Sequence, residues 1–402
     1  MNETNSSKYY DNKITQKPII PYDSVILGSG SFGKVFTVYD NNNNKIAIKV
    51  ENKNNNNTNT KTHLTLLKEH KINQTFIIIN RYLKYINLLS KKNKYHDNIL
   101  KKYESFNKMD EIIIFNYIKE KNLLLIPDEL NINYMFQYGC ISETISYFDC
   151  KDYNFLTIKL YGKDLEHITT KYYLTENAKY FMALKLLHTL SCFHQCGVVH
   201  RDIKLANFVM NEEFGDANIN TLYPVLIDFG LAMQNYKYIN DKVTKIPEKS
   251  KQKIVGTLRY ISTNIHEYKN PSIVDDLISL CYVLVVIFTD CGLPWIGHLK
   301  GNDGFDKTKH TNKSCSCGYH KNIIDATTAK KNTIAEMKFH TSYKTLVGEK
   351  YIFIVKWLKY LYSLGTNQMP SYTYLYRILN DEINMLNLKH LQFEILKNKN
   401  EE

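Results

Sequence analysis

The first 17 residues of this 402-residue chain, Met1 to Lys17, contain no apolar stretch of the kind a secretory leader needs, so an intracellular location, cytoplasmic or nuclear, is expected. Long apolar runs are also missing. The longest in the C-terminal half, Leu280 to Phe288, is about half of what crosses a bilayer and stops at Thr289 and Asp290, which argues against a simple membrane span and any membrane partner. Cysteine is sparse: eight unevenly placed residues do not build the disulfide framework of a small secreted domain, and reduced thiols are expected. Glycine (16) and proline (8) are few and no internal repeat is visible. Asn, Lys, Ile and Tyr (31 Tyr) are abundant instead, the residue types of AT-rich codons.

Apolar types at 44% supply a core, so the chain is not a disordered tail. The net charge of +12 permits weak nucleic-acid association through basic surface, but codon bias accounts for part of it, and no zinc-finger, aromatic-platform or recognition-helix motif accompanies it.

Along the chain, a polar leader of about residues 1–20 precedes a hairpin, with Ser24 to Leu27 and Val35 to Tyr39 as strands and Gly28-Ser-Gly-Ser-Phe-Gly33 at its tip. Lys45 to Val50 reads as a third strand, and Leu64 to Phe76 has helical spacing. Ile77 to Ser142 alternates apolar and Lys/Tyr-rich stretches and reads as mostly helical. Thr144 to Phe148 and Asn154 to Leu160 form a strand pair, and Thr175 caps an amphipathic helix running to His194. Short strands follow near Phe208 to Met210 and Val225 to Ile227. Gln234 to Ile254 reads as a Lys-rich loop, Leu277 to Phe288 as a buried helix, His298 to Lys330 as an exposed loop, and Lys338 to Leu396 as helical to the end.

Gly28, Gly30 and Gly33 let backbone N–H groups approach phosphate oxygens because no Cβ intervenes. A strand follows them, where a dinucleotide-binding fold would place a helix, and Val35 on that strand is set to cover a flat base. Lys49 ends an apolar strand, a position from which an ammonium can reach the α/β-phosphates of a nucleotide. Glu69 on the next helix is its expected partner in preference to Glu51. In His200-Arg-Asp202-Ile-Lys204-Leu-Ala-Asn207, an Asp such as Asp202 can orient a hydroxyl and accept its proton, Lys204 can neutralise a γ-phosphate and Asn207 can offer an oxygen to Mg²⁺. Asp228-Phe-Gly230 supplies the stronger metal ligand in Asp228.

With these motifs in order, the chain resembles the eukaryotic protein kinases, and casein kinase I more than other branches. Gly256-Thr-Leu-Arg-Tyr-Ile-Ser262-Thr-Asn264-Ile-His266 stands where most kinases carry Ala-Pro-Glu, and Asp275-Asp276, Leu293-Pro-Trp295 and Pro370-Ser-Tyr-Thr-Tyr-Leu also resemble that branch. Vaccinia-related kinases are the nearest sister group. The resemblance implies an α+β bilobal fold: a small β-rich lobe with one helix over about 21–160, lengthened by an insertion at about 77–142, and a larger helical lobe over about 161–396 with a loop at about 298–330. It implies ATP and Mg²⁺, protein Ser/Thr hydroxyls as acceptors, a monomer, and activity without an upstream kinase. A pseudokinase scaffold is the competing expectation.

The resemblance also places Ile158 at the gatekeeper and Lys159, Leu160 and Tyr161 at the hinge, with Ala47, Val35, Val209 and Ile227 around the base and Asp164 toward the ribose. Ile273 and Val274 stand where the family has a basic pair that receives the phosphate of a primed substrate, which weakens an expectation of primed sites. Outside the family pattern, His310, Cys315, Cys317 and His320 offer four zinc-type ligands at tight spacing.

Overall fold

The computed structural model describes residues 26–30, 33–40, 42–53, 65–74, 76, 141–212, 222–239, 242–246, 253–289, 292–296, 326–365, 368–389 and 391–399. The leader, the insertion up to residue 140, and His310, Cys315, Cys317 and His320 lie outside them.

The N-terminal part is a five-stranded antiparallel sheet of order β1-β2-β3-β5-β4, with β1 at Ile26–Gly30, β2 at Gly33–Tyr39, β3 at Lys45–Asn52, β4 at Thr144–Asp149 and β5 at Tyr153–Lys159. Strand alternation sorts the side chains of β3. Ile46 and Ile48 pack with Val38 on one face, while Ala47 packs with Leu66, Leu156 and Ile158 on the other. Lys49 has the parity of Ala47, and so shares the face covered by the helix at residues 65–74, which carries Leu66 and Glu69. Asn73 on that helix ties it to the sheet: its side chain bonds the Ser142 carbonyl and accepts from Thr144 N at 3.0 Å.

The C-terminal part is helical around one large core. At its centre is Ile273–Phe288, apolar on almost every side and therefore buried all round, flanked by Glu176–Gln195 and Ile352–Ser363. Thr175 caps the Glu176–Gln195 helix by accepting from Ala178 N at 3.2 Å, as its sequence implies.

Four elements differ from the sequence expectation. The central helix begins at Ile273 instead of Leu277, because the N–H and hydroxyl of Ser272 both bond Asp275 Oδ2 at 2.8 Å and start it earlier. The expected loop from Gln234 contains paired strands, Tyr236–Ile239 with Lys242–Lys245, where aromatic and β-branched types outweigh the lysines. Residues 326–330 of the expected 298–330 loop open the helix Ala326–His340, a segment free of Gly and Pro. The stretch after Lys338 is not one helical run. Helices Tyr343–Val347, Ile352–Ser363 and Tyr372–Met385 are separated at Gly348 (φ 67°) and Pro370, and Ile395–Asn398 is a strand paired with Tyr172–Leu174.

Candidate active site

The glycine hairpin comes first along the chain. β1 and β2 meet at Gly30 and Gly33, and Gly33 (φ 138°) sits so close to β3 that a Cβ would lie 2.0 Å from the Val50 carbonyl oxygen. Gly28 has open space around it.

Across the face below, Lys49 Nζ donates to Glu69 Oε1 and Oε2 at 2.9 and 3.0 Å and to Asp228 Oδ1 at 3.0 Å. Glu51 is instead engaged by Thr65 and by Asn154 Nδ2. Burial alone would lower the Lys49 pKa, but Asp228 and Glu69 outweigh it and hold the ammonium above the ordinary lysine value. Burial raises the Glu69 carboxyl against the pull of Lys49. Asp228 is also penalised by burial, yet Lys49 above all brings it below the usual carboxylate range. The three groups therefore form a charged cluster bridging the sheet part and the helical part.

Asp202 is held from both sides. Its Oδ1 accepts from Thr257 N at 2.9 Å and Thr257 Oγ1 at 2.7 Å, and its Oδ2 meets Lys204 Nζ at 2.8 Å. Asn207 Nδ2 donates to the Asp202 carbonyl at 2.8 Å and to Oδ2 at 3.2 Å, which leaves its amide oxygen as the end suited to a cation.

The loop carrying Asp202 hangs from Asp276, near the start of the central helix, which accepts from His200 N at 2.6 Å, Arg201 N at 2.9 Å and the His194 ring at 2.9 Å. Arg201 (φ 69°) and Asp228 (φ 67°) both adopt the left-handed region, where a non-glycine backbone costs roughly 1–3 kcal/mol and has to be held by its surroundings. His200 does part of the holding. Burial keeps its ring neutral, Nε2 donates to the Ile227 carbonyl at 3.1 Å, and Nδ1 accepts from Asp202 N at 3.3 Å. Phe229 packs against Phe76, Phe193 and His200 with centroids 5.5 to 5.8 Å apart, which locks the Asp228 turn to the Glu69 helix.

Of the expected base-binding residues, Val35, Ala47, Ile158 and Leu160 share one apolar cluster, and Val209 is buried nearby on the strand that bridges to Asp164. Ile227 N donates to the Asn207 carbonyl at 2.9 Å. At the hinge, Lys159 N donates to the Glu143 carbonyl at 3.3 Å, and the Tyr161 hydroxyl accepts from Glu143 N at 3.1 Å. Asp164 Oδ1 caps the helix Leu165–Lys171 through His167 N at 2.7 Å, so one carboxylate oxygen is already committed.

Asp228 and Asn207 present oxygen donors of the kind Mg²⁺ prefers, and the low pKa of Asp228 suits a cation ligand. Among the described residues no group of three or more His, Cys, Asp and Glu is gathered for a transition metal. Sequence reasoning assigned no role to Thr257 or Asp276. Their signal was a hydroxyl after Gly256 and acidic residues opening an otherwise apolar helix.

This arrangement, a glycine hairpin over a Lys-Glu-Asp cluster with a second aspartate on a strained loop, is that of a protein kinase. The chain matches the protein kinase domain family over residues 116–339, more than half its length, and belongs to that family. The match begins after Lys49 and Glu69, which the fold itself brings to Asp228. The chain is 28% identical over 235 residues to a probable serine/threonine-protein kinase of Dictyostelium discoideum, covering 57% of this chain and 39% of that protein. It is 30% identical over 233 residues to casein kinase I homolog 2 of Schizosaccharomyces pombe, covering 57% of this chain and 46% of that protein. It therefore spans less than half of each relative. Among the described residues no helix is long and apolar enough to cross a membrane.

Proposed function

We propose that the chain is an ATP-dependent serine/threonine protein kinase of the casein kinase I type, with a nucleotide-binding lobe over about 21–160 and a substrate-binding lobe over about 161–396. The observation that carries this reading is that Lys49, Glu69 and Asp228 form one charged cluster while Asp202 is fixed by Thr257 and Lys204.

In the proposed reaction the acceptor hydroxyl oxygen bonds to the γ-phosphorus and the bond from that phosphorus to the β,γ-bridging oxygen breaks. The electron pair leaves with ADP, and Asp202 takes the hydroxyl proton. Lys204 faces the transferred phosphoryl group, and Lys49 with the glycine hairpin aligns the phosphates. Asp228 and Asn207 would hold Mg²⁺, which when bound neutralises phosphate charge.

One further feature supports the casein kinase I type. Ser262 Oγ and Asn264 Nδ2 both donate to Asp275 Oδ1, at 2.6 and 3.2 Å, so the Ser-x-Asn element braces the central helix. Lys49 and Glu69 are paired at 2.9 Å, the arrangement a working nucleotide site needs, and activity without an upstream kinase rests on the resemblance to casein kinase I. Ile273 and Val274 are buried and apolar, which favours unprimed acceptors.

The test is phosphate transfer from ATP to casein by the wild type and by Asp202→Asn. Transfer that falls roughly 10²- to 10⁴-fold in the variant, with ATP binding retained, is expected. Equal inertness of both proteins would favour a scaffold instead, and loss of wild-type activity after phosphatase treatment would remove the constitutive part of the reading.

A further inference from the structure

Lys338, on the Ala326–His340 helix, is buried at 6% exposure, and among the described residues no carboxylate pairs with it. Its ammonium donates to the carbonyls of Leu258 at 2.7 Å and Ile261 at 2.6 Å and meets His266 Nε2 at 3.4 Å. The rings of Tyr282 and Trp295 face it, each 5.3 Å away at the centroid. An ammonium without a counter-charge is costly to bury, and burial holds its pKa well below the ordinary lysine value. Two carbonyls, a neutral imidazole and two ring faces are the groups that keep it there.

Those carbonyls belong to one turn. Between them the Arg259 carbonyl accepts from Trp295 Nε1 at 2.8 Å, and the N–H groups of Tyr260 and Ile261 both return to the Thr257 carbonyl, at 2.8 and 3.1 Å. Thr257 in turn donates its N–H and hydroxyl to Asp202 Oδ1. Gly256 (φ 102°) seats the turn against the Asp202 loop so tightly that a Cβ would lie 2.3 Å from the Arg201 carbonyl oxygen. One end of the turn thus grips Asp202, and Lys338 and Trp295 grip the other.

We propose that Lys338 is a positioning residue for Asp202: by holding the carbonyls of the 256–261 turn it sets Thr257, and Thr257 sets the carboxylate. The consequence for catalysis rests on the kinase reading; the link from Lys338 to Thr257 does not. No other cation geometry is needed, since one ammonium serves both carbonyls and still directs a third N–H to His266.

The test uses the full chain with Lys338→Met, which keeps length and removes a buried charge and is therefore expected to fold. Amide hydrogen exchange at Thr257 is expected to rise about tenfold or more. The kcat is expected to fall about tenfold or more while KM for ATP stays within about twofold. Lys338→Arg, which keeps the cation, is expected to recover most of the kcat. Adding Thr257→Val to Lys338→Met is expected to cost nothing beyond the larger single loss, because both act through the same contact. Unchanged exchange with kcat within about twofold of wild type, or losses that multiply in the double variant, would overturn the proposal. If Lys338→Met does not fold, Lys338→Gln, which retains a donor for one carbonyl, is expected to show the same losses at smaller size, and wild-type behaviour there overturns it equally. If the wild type phosphorylates nothing, the kinase reading fails, and the exchange measurement still decides whether Lys338 holds Thr257.

Discussion

The sheet part and the helical part hold their functional side chains by different means. In the sheet part the apolar clusters are small, Val38 with Ile46 and Ile48 on one face and Ala47 with Leu66, Leu156 and Ile158 on the other, and Lys49 is fixed mainly by charge. In the helical part Asp202 is fixed by neutral and charge-assisted hydrogen bonds from Thr257 and Asn207 and by the Asp276 anchor, which stands on the buried Ile273–Phe288 helix. Charge holds the groups expected to meet phosphate, where a small shift of helix or strand is tolerable. Hydrogen bonds anchored to the buried helix, with the Lys204 pair beside them, hold the group expected to meet the hydroxyl, where a shift of about 1 Å is not.

The largest effect that bears on this contrast is expected from Lys49→Met. It removes the cation shared by two carboxylates and leaves Glu69, itself 2% exposed, without its counter-charge. Activity should fall roughly 10²- to 10³-fold. The main thermal unfolding transition should move little, because the large core of the helical part is untouched. Calorimetry beside a transfer assay checks both. A main transition lowered as strongly as by a substitution in the central helix would break the comparison, since it would make the charged cluster a support of the whole fold.

The next effect belongs to the helical part and is read through pH. The His266 ring, 7% exposed, is pushed down from the usual 6.5 to about 3 by burial and by the charge of Lys338. Its folded pKa is depressed, so the unfolded chain takes up the proton first. The stability is complete above about pH 6.5 and is lost as pH falls toward 3. At about 1.4 kcal/mol per unit, the step from pH 6.5 to 5 costs about 2 kcal/mol. His266→Gln has no proton to take up and should show a flatter decline in denaturant unfolding across that window. Parallel curves for variant and wild type would mean that the group is solvated in the folded chain and that the helical part is less tightly packed than its contacts imply.

Legibility also followed the contrast between the two parts. Lys49, Asp202, Asn207 and Asp228 were readable because each sits in a short motif whose chemistry depends on local spacing. The glycine hairpin was readable because a strand, and not a helix, follows Gly33. Glu69 needed the added inference that a lysine ending an apolar strand requires a carboxylate. Thr257, Asp276 and Lys338 were not assigned, since each acts on a residue at least 55 positions away, and the local signals at Thr257 and Asp276 do not name the partner. The strand Ile395–Asn398 was missed for a related reason: its partner, Tyr172–Leu174, is remote in sequence, and pairing across such a distance overrode a helical reading of the C-terminal stretch.

The smallest effect tests whether every charge in the sheet part matters as Lys49 does. Lys53 Nζ pairs with Asp149 Oδ2 at 2.7 Å and donates to the Cys150 carbonyl at 2.6 Å, at the open end of β3 and β4, and the Asp149 side chain is 57% exposed. Solvent and salt screen such a pair, so Lys53→Ala should cost only about 0.2–1 kcal/mol, less at high ionic strength, with kcat unchanged. Lys53 stands four positions after Lys49, just past the end of β3, and only Lys49 is enclosed by the helix and by Asp228. If Lys53→Ala lowered kcat as Lys49→Met is expected to, the distinction would rest on the sheet's overall charge and not on enclosure. Repeating the measurement at high salt separates these cases: a general field effect fades with ionic strength, whereas the enclosed Lys49 cluster should keep most of its influence.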